Sequence, residues 1–360
     1  MSQAPVLILA GGTGGHVFPA LAVAERLREV GVPVLWMGTA RGLEARVVPA
    51  AGIELRALQV RGLRGKGRLG WLLAPWMLAR ALAQALAVVH RCRPRVVLGM
   101  GGYVSGPGGL AAWLLRRPLV IHEQNAVPGM TNRWLARLAR RVLTGFDRPF
   151  PGAPAARFVG NPVRRAVCDL SPPEQRMTGR DDGPLRVLVL GGSLGAKTLN
   201  RAVPAALAEL PETQRPLVRH QAGERTLALA RQGYADAGVE AEVGAFIDDM
   251  AEAYGWADLV ICRAGALTVA EIAAAGVAAV FVPFPYAVDD HQAANARFLV
   301  EAGAARMIRE SELDGGALGR TLAELVAERG RLVDMARRAR QRGRPQAAAS
   351  VMESCLEVAR

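Results

Sequence analysis

The sequence predicts an α/β protein of two Rossmann-like domains, each built on a parallel sheet, and three observations predict it. Short aliphatic runs of strand length alternate with helical patterns. The strand, glycine loop and helix that open the chain recur near its middle. The 360 residues also exceed what one core serves, because domains run to about 100–200 residues each.

Seven runs read as buried parallel strands: Val6–Leu9, Val34–Met37, Val96–Leu98, Leu119–Ile121, Val187–Leu190, Leu259–Ile261 and Val280–Val282. Strands covered on both faces are continuously apolar rather than alternating, which is what these runs show. Pro19–Val30 reads as a helix with proline in its first turn and Gly31 after its end. The internal echo pairs Val6–Leu9 and Gly11-Gly12-Thr13-Gly14 with Val187–Leu190 and Gly191-Gly192-Ser193-Leu194-Gly195. Ahead of the second copy, Ser171–Pro184 is polar and rich in proline, glycine and charge, as surface connections are. The boundary is therefore expected near Asn161–Arg165, giving domains 1–163 and 164–344. The apolar stretch after Pro345 reads as a closing helix.

The 45 basic and 32 acidic residues leave a net charge of +13, and Lys66 and Lys197 are the only lysines. Such a field suits an anionic partner, whether nucleic acid, phosphorylated substrate or lipid headgroup. No helix-turn-helix, zinc finger or aromatic-basic RNA motif accompanies it, so nucleic acid is not expected. Cys92, Cys168, Cys262 and Cys355 are too scattered for a metal or redox motif and suit a reducing cytoplasm. The apolar run Val6–Ala10 lacks the basic flank and cleavage site of a signal peptide. Trp71–Val89 is broken by Pro75, Arg80 and Gln84, whereas a spanning helix needs about 20 apolar residues.

Chemistry is expected at three glycine loops: Gly11–His16, Gly99–Gly109 and Gly191–Ala196. Where a strand feeds a helix, free N–H groups and the helix dipole form a site for phosphate oxygens. One such loop is equally an ordinary turn, but three suit two diphosphate substrates. A dinucleotide dehydrogenase would place an acid at the end of the second strand, where Met37-Gly38-Thr39 stands instead.

A series of segments then becomes specific in its order: Gly11–Pro19, Gly101–Pro107, His122-Glu123-Gln124-Asn125, Gly160–Arg164, Gly191–Ala196, Phe246–Met250 and Arg263–Ile272. With these the chain resembles the MurG family of peptidoglycan N-acetylglucosaminyltransferases over nearly its whole length. The resemblance implies a GT-B fold, two Rossmann-like domains facing a central cleft, with the closing helix 345–360 packed back on the first. It implies an inverting transfer of N-acetylglucosamine from UDP-N-acetylglucosamine to the 4-hydroxyl of lipid I, an undecaprenyl-diphosphate-linked muramoyl pentapeptide. Another GT-B transferase with a different lipid acceptor is the alternative.

By the same resemblance the donor meets Thr13, Gly14, Gly15, Asn125, Arg164, Ser193, Ile247, Ala266, Leu267, Thr268, Val269, Ala270, Glu271 and Gln292. Glu271 would accept from the ribose hydroxyls, Ile247 would contact uracil through its backbone, and Arg164 and Ser193 would engage the diphosphate. An arginine there would stabilise charge growing on the departing UDP. The segment around Gln292 departs from the family pattern, which often pairs two glutamines. The acceptor diphosphate would meet Gly12, Gly14, Gly15, Gly102, Tyr103 and Ser105. His16 is the first candidate base, since a helix N-terminus favours the neutral imidazole; it could equally hydrogen-bond a phosphate or loop carbonyl. Glu123 could orient or deprotonate the acceptor, and His122 reads as structural.

Trp71, Leu72, Trp76 and Met77 follow the basic set Arg61, Arg64, Lys66 and Arg68. An apolar patch beside cations suits a peripheral protein on the anionic cytoplasmic face of the plasma membrane. An ordinary buried helix fits the same residues. Other cell-wall enzymes are conceivable partners, and no cofactor or essential metal is expected, Asp248-Asp249 reading as a helix cap.

Overall fold

The computed structural model describes residues 3–59, 68–148, 150–153, 155–180, 183–192, 195–313 and 315–359, with the side chains of 68–73, 288 and 315 outside the description. The chain forms two compact units, Met1–Arg164 with Pro345–Arg360, and Arg165–Arg344. The division falls one residue beyond the expected boundary, so Arg164 belongs to the first unit.

The first unit runs β1 (Val6–Leu9), α1 (Gly14–Glu29), β2 (Val34–Thr39), α2 (Glu44–Ala50), β3 (Glu54–Leu58) and α3 (Arg68–Cys92). It continues through β4 (Val96–Gly99), α4 (Ser105–Leu114), β5 (Leu119–Glu123), α5 (Met130–Leu135), β6 (Arg141–Thr144) and β7 (Arg157–Phe158). Its strands lie parallel in the order β3-β2-β1-β4-β5-β6-β7. Successive side chains of a strand face opposite ways, and here both sides are dry. Val6, Ile8, Val96, Leu98 and Val120 pack under α1, through Val17, Val23 and Leu27. Leu7, Leu9, Val97, Leu119 and Ile121 pack under Ala85 and Val89 of α3 and Ala111 of α4. That double burial is why these runs carry no polar alternation.

α1 begins at Gly14, five residues before the expected start, and Pro19 lies inside it. The glycine loop therefore feeds directly into the helix, and His16 stands in its first turn.

The second unit runs α6 (Arg165–Cys168), α7 (Pro173–Met177), β8 (Arg186–Leu190), α8 (Lys197–Ala208), β9 (Leu217–Gln221), α9 (Leu227–Ala237) and β10 (Glu242–Gly244). There follow α10 (Met250–Trp256), β11 (Leu259–Cys262), α11 (Ala266–Ala275), β12 (Ala278–Phe281), α12 (His291–Val300), β13 (Ala305–Met307), α13 (Gly315–Ala327) and α14 (Arg329–Arg342). The parallel order is β10-β9-β8-β11-β12-β13. Val187, Val189, Leu259, Ile261 and Val280 form its core with Leu199 and Val203 of α8 and Leu318 and Leu322 of α13. Asp249 caps α10, accepting from the Glu252 amide at 2.9 Å. α15 (Ala347–Val358) joins the first unit's core through Ala348, Val351 and Cys355.

One histidine is buried in the sheet of each unit. His122 of β5 is fully buried and its pKa is pushed down to about 4 by desolvation, against a smaller upward pull from the Gly160 carbonyl. His220 of β9 lies between the Tyr234 hydroxyl and Asn200 Oδ1, and desolvation likewise lowers it to about 4. A folded-state pKa below the ordinary 6.5 means the unfolded chain binds the proton first, so each site's stability is intact above 6.5 and lost as pH falls toward 4. Taking the protein from neutral pH to pH near 4.5 should remove roughly 2–3 kcal/mol from each unit. Urea unfolding at the two pH values measures this. A His220→Gln variant should show a shallower pH dependence in the second unit only, and an unchanged slope would refute the assignment.

Candidate functional site

In the first unit the strand order reverses between β1 and β4, so connections leave in opposite directions and a crevice opens at the strands' C-terminal ends. The register aligns Leu9 with Gly99 and Gly99 with Ile121, which brings the loops after β1, β4 and β5 together. Contact between the first two is intimate. Gly102, at φ +85°, lies so near the main chain of Gly11 that any Cβ would collide with it.

Beneath the first loop lies Glu44, a residue that no local sequence pattern singles out. It is fully buried, and its carboxylate accepts from the Gly12 amide at 3.0 Å, the Thr39 amide at 2.9 Å and the Thr39 hydroxyl at 2.6 Å. Burial alone would push this carboxyl up. The donors, led by the Thr39 hydroxyl, outweigh burial and hold it below the ordinary range. Gly11, Gly38 and Gly42 crowd it so closely that a Cβ at any of them would strike it.

This packing engages two residues of the expected phosphate set. The Gly12 amide is already committed to Glu44. Ser105 is fully buried, its hydroxyl donating to the carbonyls of Leu9 and Gly101 and accepting from the Gly101 amide. Free donors remain at the start of α1, where a helix leaves its first amides without internal partners. Of the first turn, the amides of His16 and Val17 bond the Thr13 carbonyl, leaving Gly14 and Gly15 outside that pairing. Thr13 and Tyr103 are exposed beside them, and Gly102 is half-buried.

Glu123 has the expected place at the end of β5 but not the freedom of a base. It is 3 % exposed, and its oxygens accept from the amides of Asn125 and Gly129, at 3.0 Å each, and from Asn132 Nδ2 at 2.9 Å. These bonds shape the loop that carries half-buried Asn125. His16 is half-buried, its Nδ1 3.1 Å from Gln124 Oε1. Arg164 sits over the ring of Phe18 on α1, 5.5 Å from its centroid.

The second unit repeats the device, its order reversing between β8 and β11, with Leu190 beside Cys262. Ser193 and Leu194 lie outside the described residues. Gly195, at φ +77°, approaches Thr226 and the Ala222 carbonyl where no Cβ would fit. α11 starts at Gly265 with no side-chain cap, so the first-turn amides of Ala266, Leu267 and Thr268 are presented at its positive end. Leu267, Thr268 and Ala270 are half-buried, and Ala266 is nearly covered. The Val269 side chain is fully buried in the core, and its amide donates to the Gly265 carbonyl.

Glu271, on the same helix, is 4 % exposed with the Tyr254 hydroxyl 3.2 Å from Oε2. Ile247 is half-buried in the loop after β10. Gln292 accepts from the Phe284 amide at 2.9 Å, which fixes its Oε1 inward. The turn before it holds Asp289 and Asp290 at φ +54° and +50°, unusual for side-chain-bearing residues, with Asp290 gripped by Arg309 at 2.9 Å. Arg263, unassigned from sequence, packs at the end of β11 against Glu310 and the carbonyls of Val282 and Pro283.

Among the described residues no group of three or more His, Cys, Asp or Glu side chains is placed to hold a metal ion. None of the described helices is long and apolar enough to cross a membrane. Of the expected membrane residues, Trp76 is 72 % exposed and Met77 half-buried. The side chains of Trp71, Leu72 and Arg68 fall outside the description, as do Arg61, Arg64 and Lys66.

Comparison with known proteins agrees with this architecture. The glycosyltransferase family 28 N-terminal domain matches residues 6–144, and the family 28 C-terminal domain matches residues 186–351. A protein of Alkalilimnicola ehrlichii is 64% identical over 356 residues, 99% of each chain, and is named UDP-N-acetylglucosamine--N-acetylmuramyl-(pentapeptide) pyrophosphoryl-undecaprenol N-acetylglucosamine transferase. A protein of the same name from Bordetella pertussis is 56% identical over 361 residues, covering 100% of this chain and 99% of its own. The crystal structure of Acinetobacter baumannii MurG matches with a TM-score of 0.85 at 41% identity, over 99% of this chain and 100% of that one. A UDP-GlcNAc 2-epimerase from Neisseria meningitidis, 12% identical with a TM-score of 0.69 over 98% of this chain and 100% of its own, shares the fold alone. The fold is GT-B, and the chain belongs to glycosyltransferase family 28, in its MurG branch.

Proposed function

We propose that this protein transfers N-acetylglucosamine from UDP-N-acetylglucosamine to the 4-hydroxyl of the undecaprenyl-diphosphate-linked muramoyl pentapeptide, with inversion. The likeness of 64% across 99% of the chain to a transferase of that name carries the reading. Each unit contributes part of the chemistry. At the second unit's switch point the first-turn amides of α11 would meet the donor diphosphate, with Glu271 for the ribose and the Ile247 backbone for uracil. Gln292, its oxygen held by the Phe284 amide, would offer its amide nitrogen to the sugar. In the first unit the amides of Gly14 and Gly15 would take acceptor phosphate oxygens.

One displacement suffices. The acceptor oxygen bonds to the anomeric carbon, the bond from that carbon to the UDP oxygen breaks with its electron pair, and the hydroxyl proton passes to His16 Nε2. Charge growing on UDP is met by main-chain amides already in place, which need no reorganisation as the bond breaks.

The acceptor is a lipid, and the first unit has a face suited to meeting one. α3 packs against α4 and α4 against α5. These three helices expose Trp76, Trp113, Leu114, Met130 and Trp134, with Arg80, Arg116, Arg133 and Arg137 exposed on or beside them. Apolar side chains among cations suit the anionic cytoplasmic leaflet, where the protein would bind peripherally.

Purified protein given labelled UDP-N-acetylglucosamine and a lipid I analogue should form the disaccharide product. Transfer only to a diacylglycerol or sterol would assign a different acceptor and overturn the reading. Sedimentation with phosphatidylglycerol vesicles should weaken in a Trp113→Ala, Trp134→Ala double variant, and undiminished binding would place the membrane contact elsewhere.

A further inference from the structure

We propose that Gln124 is a positioning residue that holds His16 in a single tautomer, Nδ1 protonated and Nε2 bare, through a hydrogen-bond chain whose direction is set by two main-chain carbonyls. The inference rests on the reading of His16 as the base and deepens it.

The chain can be followed from its buried end. The Gly160 carbonyl lies 2.9 Å from His122 Nε2, and a carbonyl only accepts, so Nε2 carries the hydrogen. Full burial lowers the His122 pKa to about 4, so near neutral pH the ring is uncharged and its Nδ1 is an acceptor. Gln124 Nε2 lies 3.2 Å from that Nδ1 and 3.3 Å from the His122 carbonyl oxygen. Both are acceptors, so the amide nitrogen belongs on that side and Oε1 must face the other way. There it meets His16 Nδ1 at 3.1 Å. An amide oxygen only accepts, so His16 carries its hydrogen on Nδ1, and a neutral imidazole then has its lone pair on Nε2. Among the described residues the His16 ring has no other hydrogen-bond partner.

The frame leaves little room for the alternative. Gln124 is 1 % exposed, and its carbonyl accepts from Asn161 Nδ2 at 3.0 Å. Gly101 presses on the His16 ring so closely that a Cβ there would strike it. The titratable and charged groups nearby are His122 behind the amide, Glu44 under Gly12 and Arg164 over Phe18.

A neutral amide at this place has a chemical consequence. A carboxylate on Nδ1 would fix the same tautomer but would also stabilise the imidazolium, drawing a proton onto His16 before the substrate supplied one. Gln124 gives the orientation without that charge. It still accepts from Nδ1 after the acceptor's proton has arrived on Nε2.

Two variants and one spectrum of the full-length chain test this. Nitrogen-15 NMR of ligand-free protein labelled at histidine should show His16 protonated at Nδ1, and Gln124→Leu should move it toward the Nε2–H form. Gln124→Leu should lower kcat by roughly 10- to 100-fold, as loss of an orienting partner does for other histidines, with little change in KM. Gln124→Glu should move the acid limb of the kcat/KM profile upward by about one pH unit or more. An Nε2–H tautomer in the unaltered protein would overturn the proposal. So would an unmoved acid limb together with full kcat in Gln124→Leu. If the tautomer is as stated but the unaltered protein transfers no sugar to the lipid I analogue, the positioning stands and the function assigned to it fails.

Discussion

His16→Asn should lower kcat for sugar transfer by about 10²- to 10⁴-fold, the range set by losing a general base, while the fold stays intact. The substitution separates the two things His16 does. An asparagine amide nitrogen can occupy nearly the place of Nδ1 and donate to Gln124 Oε1, so the contact seen at 3.1 Å has a substitute. Nothing replaces Nε2. The stability at risk is that of one hydrogen bond, about 1 kcal/mol, whereas a thousandfold rate loss is about 4 kcal/mol of transition-state energy. Rate must therefore fall far more than stability. UDP binding by calorimetry should be little changed, because the α11 amides proposed to meet its diphosphate lie in the second unit. A variant retaining a tenth or more of the original kcat would mean the acceptor proton goes elsewhere. Glu123 is a poor substitute, since both its oxygens are occupied by the loop it shapes.

What the sequence made legible follows burial. The strands readable in advance, β1, β2, β4, β5, β8, β11 and β12, contain continuous apolar runs that survive even short windows. Strands such as β3, whose Glu54, Arg56 and Ala57 are exposed, and β10, with exposed Glu242, carry no such run. β7 is two residues long, too short for any periodicity. The start of α1 was misread because Pro19 is a good first-turn residue, and nothing local says that a glycine loop already begins the helix at Gly14.

The site divides along the same line. Glycine loops and the His122–Asn125 segment are visible as local patterns, so the residues around both switch points were found. What those residues do depends on partners far away in sequence. Gly12 and Ser105 looked like free donors until Glu44 and the Leu9 carbonyl, 32 and 96 positions away, took them. No local pattern gives Gln124 a role within His122–Asn125, because its meaning lies in the orientation of one amide between two rings.

Glu44→Ala should cost the first unit about 4 kcal/mol and disorder the first glycine loop, although Glu44 is not placed against substrate. Removal strands two main-chain amides, of Gly12 and Thr39, and the Thr39 hydroxyl, around a carboxylate that is itself fully buried. Each unsatisfied buried group costs about 1–3 kcal/mol, and the vacated volume adds to it. Glu44→Gln is the sharper variant. It keeps the volume but turns an N–H₂ toward a donor, so at least one of the three partners is lost and the variant should fall between alanine and the parent. The pH dependence gives the sign. A carboxyl held below its ordinary 4.5 contributes stability that is complete above that value and is lost only as pH falls through the lowered one. Glu44 therefore accounts for acid loss below the window assigned to His122, and the glutamine variant should lack the lower phase while keeping the upper. Hydrogen exchange at β1 and β2 reads both. If exchange there is as slow in Glu44→Ala as in the parent, the carboxylate does not hold the loop, and the Gly12 amide returns as a candidate for the acceptor's phosphate.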